Sequence, residues 1–306
     1  MRILHLDQNH EYLSSELEKL GFENHYDYKS SKNQILNKIG NYHGIVIRSR
    51  ITIDKEIINC AKKLKFIARV GSGLENIDLV SAKKHKVKVI SAGEANSNAV
   101  GEHAIGMLLN LLNNISISNS EIMNGVWERG RNRGIELEGK VIGIIGFGKT
   151  GMSFAKKLSG FDCKIIFNDI KKLESNQFAK SVSLDELKMK SDIISIHVDL
   201  NKTSLNLINI GFINSCKKNF ILINTSRGKC VNSKDLVTGL KNKKITGCCL
   251  DVLDFEDKSF ENIKKNKDFD FLKNSNNVIL TPHIAGWTIE SKLKLSKVII
   301  EKIKEL

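Results

Sequence analysis

Eleven residues, Val141-Ile142-Gly143-Ile144-Ile145-Gly146-Phe147-Gly148-Lys149-Thr150-Gly151, constrain this chain more than any other stretch. An apolar run stops at Gly146, Gly148 and Gly151, spaced G-x-G-x-x-G. A helix-like segment follows to Leu158, then a second apolar run, Lys164-Ile165-Ile166-Phe167, closed by Asn168 and Asp169. Strand, glycine turn, helix, strand and acid, in that order, form the pattern of a dinucleotide-binding βαβ unit. Gly146 permits the tight turn. Gly148 lets backbone approach a pyrophosphate, and Gly151 lets the helix pack closely on the strand. The helix N-terminus offers N–H groups and partial positive charge to phosphates. Asp169 stands about 20 residues on, where a carboxylate accepts hydrogen bonds from ribose hydroxyls and repels a 2′-phosphate. The expected cofactor is therefore NAD.

The 306 residues are enough for about two domains. The formal charge of +14 raises nucleic acid as a partner. The lysines, however, are spread along the chain, mixed with acids and not interleaved with aromatics, so no nucleic-acid binding is expected. The positive field favours a small anionic substrate instead. No apolar run approaches the ~18–20 residues of a membrane span. The N-terminus, Met1 to Asp7, reads as a first strand rather than a signal peptide. The six cysteines show no C-x-x-C spacing and read as reduced thiols of a cytoplasmic protein. No metal site is expected.

Strand and helix signals alternate along the whole chain. Candidate strands in the first third are Arg2–Leu6, Gly44–Ile47, Lys65–Ala68 and Val87–Ser91, with a helical pattern at Asp54–Lys63. One long apolar helix is expected over 98–117. After Asp169, Ser183-Leu184-Asp185-Glu186 reads as a capping box. Strands are expected at Ile193–His197, Phe220–Asn224, Ile245–Leu250 and Val278–Leu280, with Asn232 capping a helix before the third of these. Runs such as Ile221-Leu222-Ile223 are apolar at successive positions, as in a parallel sheet covered on both faces. Residues 254–275 read as a long surface loop with a short helix at most, and 287–306 as a final helix. The expected architecture is α/β: a Rossmann-type doubly wound parallel sheet over 97–284, and a smaller flavodoxin-like α/β substrate domain over 1–96 plus 285–306.

Three segments that follow apolar strands carry reactive groups: Asn224-Thr225-Ser226-Arg227-Gly228, Leu250 through Glu256, and Leu280-Thr281-Pro282-His283-Ile284-Ala285-Gly286. With these, Val70-Gly71-Ser72-Gly73-Leu74-Glu75-Asn76-Ile77-Asp78, residues 96–102 and the glycine turn, the chain resembles the D-2-hydroxyacid dehydrogenase family, and within it the phosphoglycerate dehydrogenase branch. The resemblance implies that His283 is the general acid/base. Histidine suits that task because imidazole ordinarily gains and loses a proton near neutral pH. Glu256 would hydrogen-bond and orient His283; Asp254 and Asp257 are rivals for that role. Arg227 would grip the substrate carboxylate and C2 oxygen with its planar, permanently charged fork. Asp251 and Thr225 would position the nicotinamide. Gly146, Phe147, Gly148, Lys149, Thr150, Gly151, Asp169, His197, Thr203, Val100 and Gly286 complete the implied cofactor contacts. The loop Gly71, Ser72, Gly73 would offer backbone N–H groups to the substrate carboxylate. His103 reads as a packed core histidine.

The family pattern also places Arg48 and Arg69 near the far end of the substrate, where a phosphate dianion favours arginines. Arg50 has no matching position. Trp287 stands where the family usually has a small residue, and Asp199 and Asp257 stand where it often has proline. The expected reaction is NAD-dependent oxidation of 3-phospho-D-glycerate to 3-phosphohydroxypyruvate, a step of serine biosynthesis. The chain ends at Leu306 and is expected to lack serine feedback through a regulatory domain. One alternative is a dehydrogenase or reductase of another small D-2-hydroxyacid: glycerate/hydroxypyruvate, glyoxylate or lactate. Another is a non-enzymatic, NAD-sensing corepressor. A homodimer through the long helix after Ser97 is expected from the family.

Overall fold

The computed structural model describes residues 1–257, 263–264 and 266–306, grouped in two units. The first holds Met1–Asn96, Asp257 and Trp287–Leu306; the second holds Ser97–Glu256 and Ile263–Gly286. The return crossing lies two residues later than the sequence division, at Gly286/Trp287. The reason is local: the Ala285 N–H donates to the Asp251 carboxylate at 2.9 Å, which holds residue 285 in the second unit.

The first unit is built on β1 (Arg2–His5), β2 (Glu23–Tyr26), β3 (Gly44–Ile47), β4 (Phe66–Arg69) and β5 (Lys88–Ser91). They pair in parallel in the order β2-β1-β3-β4-β5, the flavodoxin-type arrangement. Strand β2 escapes the sequence reading because Glu23-Asn24-His25-Tyr26 is polar and sits at an edge, where no apolar run is required. The helix Ile289–Lys304 buries Leu295, Ile299, Ile300 and Ile303 against Ile3, Leu13, Val46 and Phe66, so the C-terminal segment completes the core of this unit.

The second unit contains β6 (Val141–Ile145), β7 (Lys164–Asn168), β8 (Lys180–Ser181), β9 (Ile193–Ile196), β10 (Phe220–Asn224), β11 (Ile245–Leu250) and β12 (Val278–Leu280). Their order is β12-β11-β10-β9-β6-β7-β8, all parallel. The order reverses between β6 and β9, the switch point beside which open α/β sheets bind ligands. Both faces are apolar: Ile144 packs with Phe154 and Phe167 on one side, while Ile145 packs with Ile194 and Ile196 on the other.

The helix expected over 98–117 is two helices, Ser97–Leu112 and Ile115–Met123. Asn114 breaks it with a left-handed φ of 53°, a conformation asparagine tolerates better than most residues. The loop expected over 254–275 contains the helix Lys267–Lys273, capped by Asn266; residues 258–262 and 265 of that stretch lie outside the described residues. Among the described residues, no helix is long and apolar enough to cross a membrane.

Gly151 shows how tightly the first βαβ turn is built. A Cβ there would lie 2.2 Å from the Gly146 carbonyl oxygen. Gly146 cannot move away, because its N–H donates to Asn168 O at 2.8 Å. Gly151→Ala should therefore lower stability by about 1–3 kcal/mol, read as a fall in the urea midpoint. An unchanged midpoint would show that the helix does not need this approach.

Candidate active site

The loop that carries His283 starts from a buried carboxylate. Asp251 follows β11 and is 2% exposed. Its Oδ1 accepts the Thr281 hydroxyl at 2.6 Å and the Ile284 N–H at 2.8 Å; its Oδ2 accepts the Ala285 N–H at 2.9 Å. Its carbonyl oxygen accepts the His283 N–H at 2.8 Å. These bonds hold His283 at a φ of 56°, a left-handed backbone that a histidine rarely adopts. Asp251 thus shapes this loop in addition to the role beside the nicotinamide expected of it. Most of its hydrogen-bonding capacity serves the loop that carries His283.

His283 Nδ1 lies 2.8 Å from Glu256 Oε2. The other oxygen of Glu256 accepts the Leu253 N–H, which turns the carboxylate toward the ring. The rival Asp254 is engaged elsewhere, accepting from Ser233 Oγ and Ser233 N. Arg227 sits just after β10, in a loop shaped by Asn224, whose Oδ1 accepts from Ser226 and whose Nδ2 donates to Arg227 O at 3.0 Å. A Cβ on Gly228 would stand 1.9 Å from Leu253 O. Only glycine lets the Arg227 loop lie directly on the segment that carries Glu256. The structure thus brings Arg227, Glu256 and His283 together through Gly228, Leu253 and Asp251.

His103 is the residue that sequence reasoning undervalued. It is not merely packed: its Nε2 lies 3.0 Å from Thr281 Oγ1 and 3.6 Å from Asp251 Oδ1. Since the Thr281 hydroxyl proton goes to Asp251, Nε2–H is the donor. A histidine on an apolar helix face gave no hint of a hydroxyl partner 178 residues away.

The dinucleotide pattern can be tested on the chain itself. Gly146 has a φ of +88°, and a Cβ there would meet His197 O at 2.6 Å. At Gly148, by contrast, a Cβ would meet nothing within 4 Å, so the space is open where a pyrophosphate would lie. Gly148 caps the helix Lys149–Leu158 without any side-chain hydrogen bond, which leaves the anion-attracting end of the helix to its backbone. Asp169 joins this end: its carboxylate accepts the Phe147 N–H at 2.7 Å and the Lys171 N–H at 2.8 Å. Among the described residues of this unit, two buried polar side-chain atoms have no partner, His197 Nδ1 and Thr225 Oγ1. They follow β9 and β10 at the carboxyl ends of the sheet. An open cradle, an uncapped helix end and orphaned polar atoms at these strand ends fit a dinucleotide. Two residues expected at the cofactor are buried. The Phe147 ring is 3% exposed and stacked on Phe167 at 3.8 Å, so only its backbone is left for a ligand. Val100 is buried at 6% exposure. Thr203 donates its hydroxyl to Asn201 at 2.7 Å, Lys149 is exposed, and Gly286 ends the unit.

Residues 105–285 match the family model of the D-isomer specific 2-hydroxyacid dehydrogenase, NAD binding domain. The chain belongs to the D-2-hydroxyacid dehydrogenase family. It is 35% identical to hydroxypyruvate reductase of Thermotoga maritima, over 90% of this chain and 88% of that protein. It is 32% identical to D-3-phosphoglycerate dehydrogenase of Archaeoglobus fulgidus over 99% of this chain, but it spans only 56% of that protein's length. Its fold superposes on a glyoxylate reductase from Paecilomyes thermophila with a TM-score of 0.89, at 25% identity, covering 100% of this chain and 94% of the other.

The first unit carries the remaining expected residues. Arg50 is spent internally, donating to the carbonyls of Leu6, Ser30 and Asp27. Arg69 folds back on its own loop: its guanidinium donates to Val70 O at 3.2 Å and occupies the space where a Cβ on Gly71 would be. The Gly71 N–H turns to Arg69 O at 2.9 Å, a correction to its expected role. The carboxylate-binding amides expected of this loop are then those of Ser72 and Gly73. Arg48 Cζ lies 4.1 Å from the centre of the Trp287 ring.

Two measurements test this site. Gly148→Ala should keep the fold, with a urea midpoint near wild type, while NADH affinity falls about tenfold or more as the methyl fills the cradle; unchanged affinity would remove the pyrophosphate from this position. His197 is the second. Burial pushes its pKa down to about 3, so the folded protein holds it neutral. Unfolded, it takes a proton near pH 6.5. The neutral histidine therefore costs nothing above pH 6.5, and stability falls as pH drops from there toward 3, by about 1.4 kcal/mol per pH unit. His197→Gln should flatten that slope in acid unfolding; His5, also lowered by burial, leaves a residual one. A slope unchanged by the substitution would refute the buried neutral histidine.

Proposed function

We propose that this chain oxidises 3-phospho-D-glycerate at C2 to 3-phosphohydroxypyruvate, a step that would supply serine biosynthesis. The observation that carries the chemistry is the His283–Glu256 pair. With Nδ1 committed to Glu256, proton exchange with the substrate falls to Nε2. In oxidation His283 takes the proton of the C2 hydroxyl while the hydride leaves C2, and the C2–O bond becomes a carbonyl. Glu256 fixes the ring and its tautomer and stabilises the imidazolium that forms. Arg227 binds the carboxylate and the C2 oxygen, and its fork keeps the two coplanar as C2 flattens. NAD, when bound, supplies the hydride acceptor. Asp169, anchored to the glycine turn, presents a carboxylate that would oppose a 2′-phosphate, which favours NAD over NADP.

The phosphate reading rests on Arg48 and Arg69, each at the carboxyl end of a strand of the first unit. The likeness to hydroxypyruvate reductase supports a second reading, in which the same groups run in reverse on unphosphorylated 2-ketoacids. Comparing kcat/KM for 3-phosphoglycerate and D-glycerate separates the two.

His283→Asn tests the chemistry common to both. Asparagine tolerates the left-handed backbone, but its amide neither takes up nor releases a proton near neutral pH. Turnover should fall about 100- to 10,000-fold, with NADH binding by fluorescence retained. Turnover near wild type would contradict the assignment.

A further inference from the structure

Trp287 is the first residue of the chain's return to the first unit, and it is 54% exposed. So large an indole in contact with water calls for a reason beyond core packing. The guanidinium carbon Cζ of Arg48 lies 4.1 Å from the centre of its ring, within cation–π range. Both partners are held by their backbones. The Arg48 N–H donates to Asp7 Oδ2 at 2.7 Å, and its carbonyl accepts from Asn76 Nδ2 at 3.1 Å. Trp287 precedes Thr288, which opens the helix Ile289–Lys304 with a full capping box shared with Ser291. That helix is locked into the core by Ile299 and Ile300, both fully buried. The indole is therefore a fixed platform, and Arg48 has its main chain fixed beside it.

A long arginine side chain samples many rotamers, and ordering it weakens any ligand that must do so. Stacking on an indole removes most of that freedom before the ligand arrives. The guanidinium carries its N–H bonds in a planar fork that matches two oxygens of a phosphate-type anion. A hydroxymethyl group at the same place gains far less from a pre-aimed cation.

We propose that Trp287 is a positioning residue for Arg48, and that the pair sets a preference for a 2-hydroxyacid or 2-ketoacid carrying a second, phosphate-type anion over its uncharged counterpart. This rests on the reading of Arg48 as an anion-binding arginine. The rival role for Trp287 is purely structural, as an anchor for the final helix. A structural loss would depress turnover of both substrates alike, whereas loss of positioning changes their ratio.

The test is NADH-dependent reduction of 3-phosphohydroxypyruvate and of hydroxypyruvate by the full chain. The proteins compared are wild type, Trp287→Ala, Trp287→Leu, Trp287→Phe and Arg48→Ala. Leucine keeps apolar bulk without a π-face, so it stands in if the alanine variant folds poorly. The expected result is a fall of about tenfold in the ratio of kcat/KM, phosphorylated over unphosphorylated, in the alanine and leucine variants. The fall should come through KM rather than kcat, and phenylalanine should restore most of it. If Arg48→Ala lowers the ratio and Trp287→Leu does not, the positioning role is overturned while the phosphate reading stands. If Arg48→Ala also leaves the ratio unchanged, the phosphate reading itself fails and the inference falls with it.

Discussion

The reactive half of this structure depends on one buried carboxylate. Asp251 accepts the Thr281 hydroxyl and the Ile284 and Ala285 amides, and its carbonyl holds the His283 amide. Hydrogen bonds to a charged group contribute about 1.5–3 kcal/mol each. Three of them exceed the roughly 1–3 kcal/mol of strain in a left-handed histidine. Without these bonds, Asp251 would be a charge stranded at 2% exposure, and His283 would relax to an ordinary backbone and leave Glu256. Loop conformation, imidazole placement and the hydrogen bond between His283 and Glu256 are thus consequences of one set of donors. His103 extends the set by donating to Thr281, which ties the helix Ser97–Leu112 to the same centre.

Close backbone approaches do the remaining assembly. Gly228 lets the Arg227 loop touch Leu253, and Gly151 lets the helix Lys149–Leu158 touch Gly146. Gly71 makes room for the Arg69 guanidinium. At each place a methyl group would meet an atom within 2.2 Å. Gly148 is the opposite case, a glycine with space above it. Glycines that pack against protein are structural. Gly148 combines open space with the N-terminus of the helix Lys149–Leu158, within residues that match an NAD-binding domain.

Much of this was legible in the sequence, for physical reasons. Long apolar runs such as Val141–Ile145 and Phe220–Asn224 announce buried parallel strands, because both faces must be covered. The polar groups that follow them announce the carboxyl ends of a sheet. Strand β2 was not legible, since an edge strand needs no apolar alternation. The break at Asn114 was hidden in an apolar stretch, where helical periodicity outweighs a single left-handed residue. The site was read better for residues defined by chemistry, such as His283 and Glu256, than for residues defined by contact. Phe147 shows the limit: its place in the glycine motif does not reveal that its ring packs in the core beside Phe167. Arg50 lies two residues from Arg48 in sequence but donates to three backbone carbonyls, which no local pattern reveals.

The central claim is that the Arg227, Glu256 and His283 constellation moves a hydride, not a proton, from C2 of a D-2-hydroxyacid. Following deuterium from C2 of a labelled D-hydroxyacid during oxidation by the purified protein tests it most directly. The account predicts that the label appears at C4 of the nicotinamide of NADH, with a primary isotope effect on turnover and the L-enantiomer inert. Deuterium released to solvent, or unlabelled NADH, would contradict it.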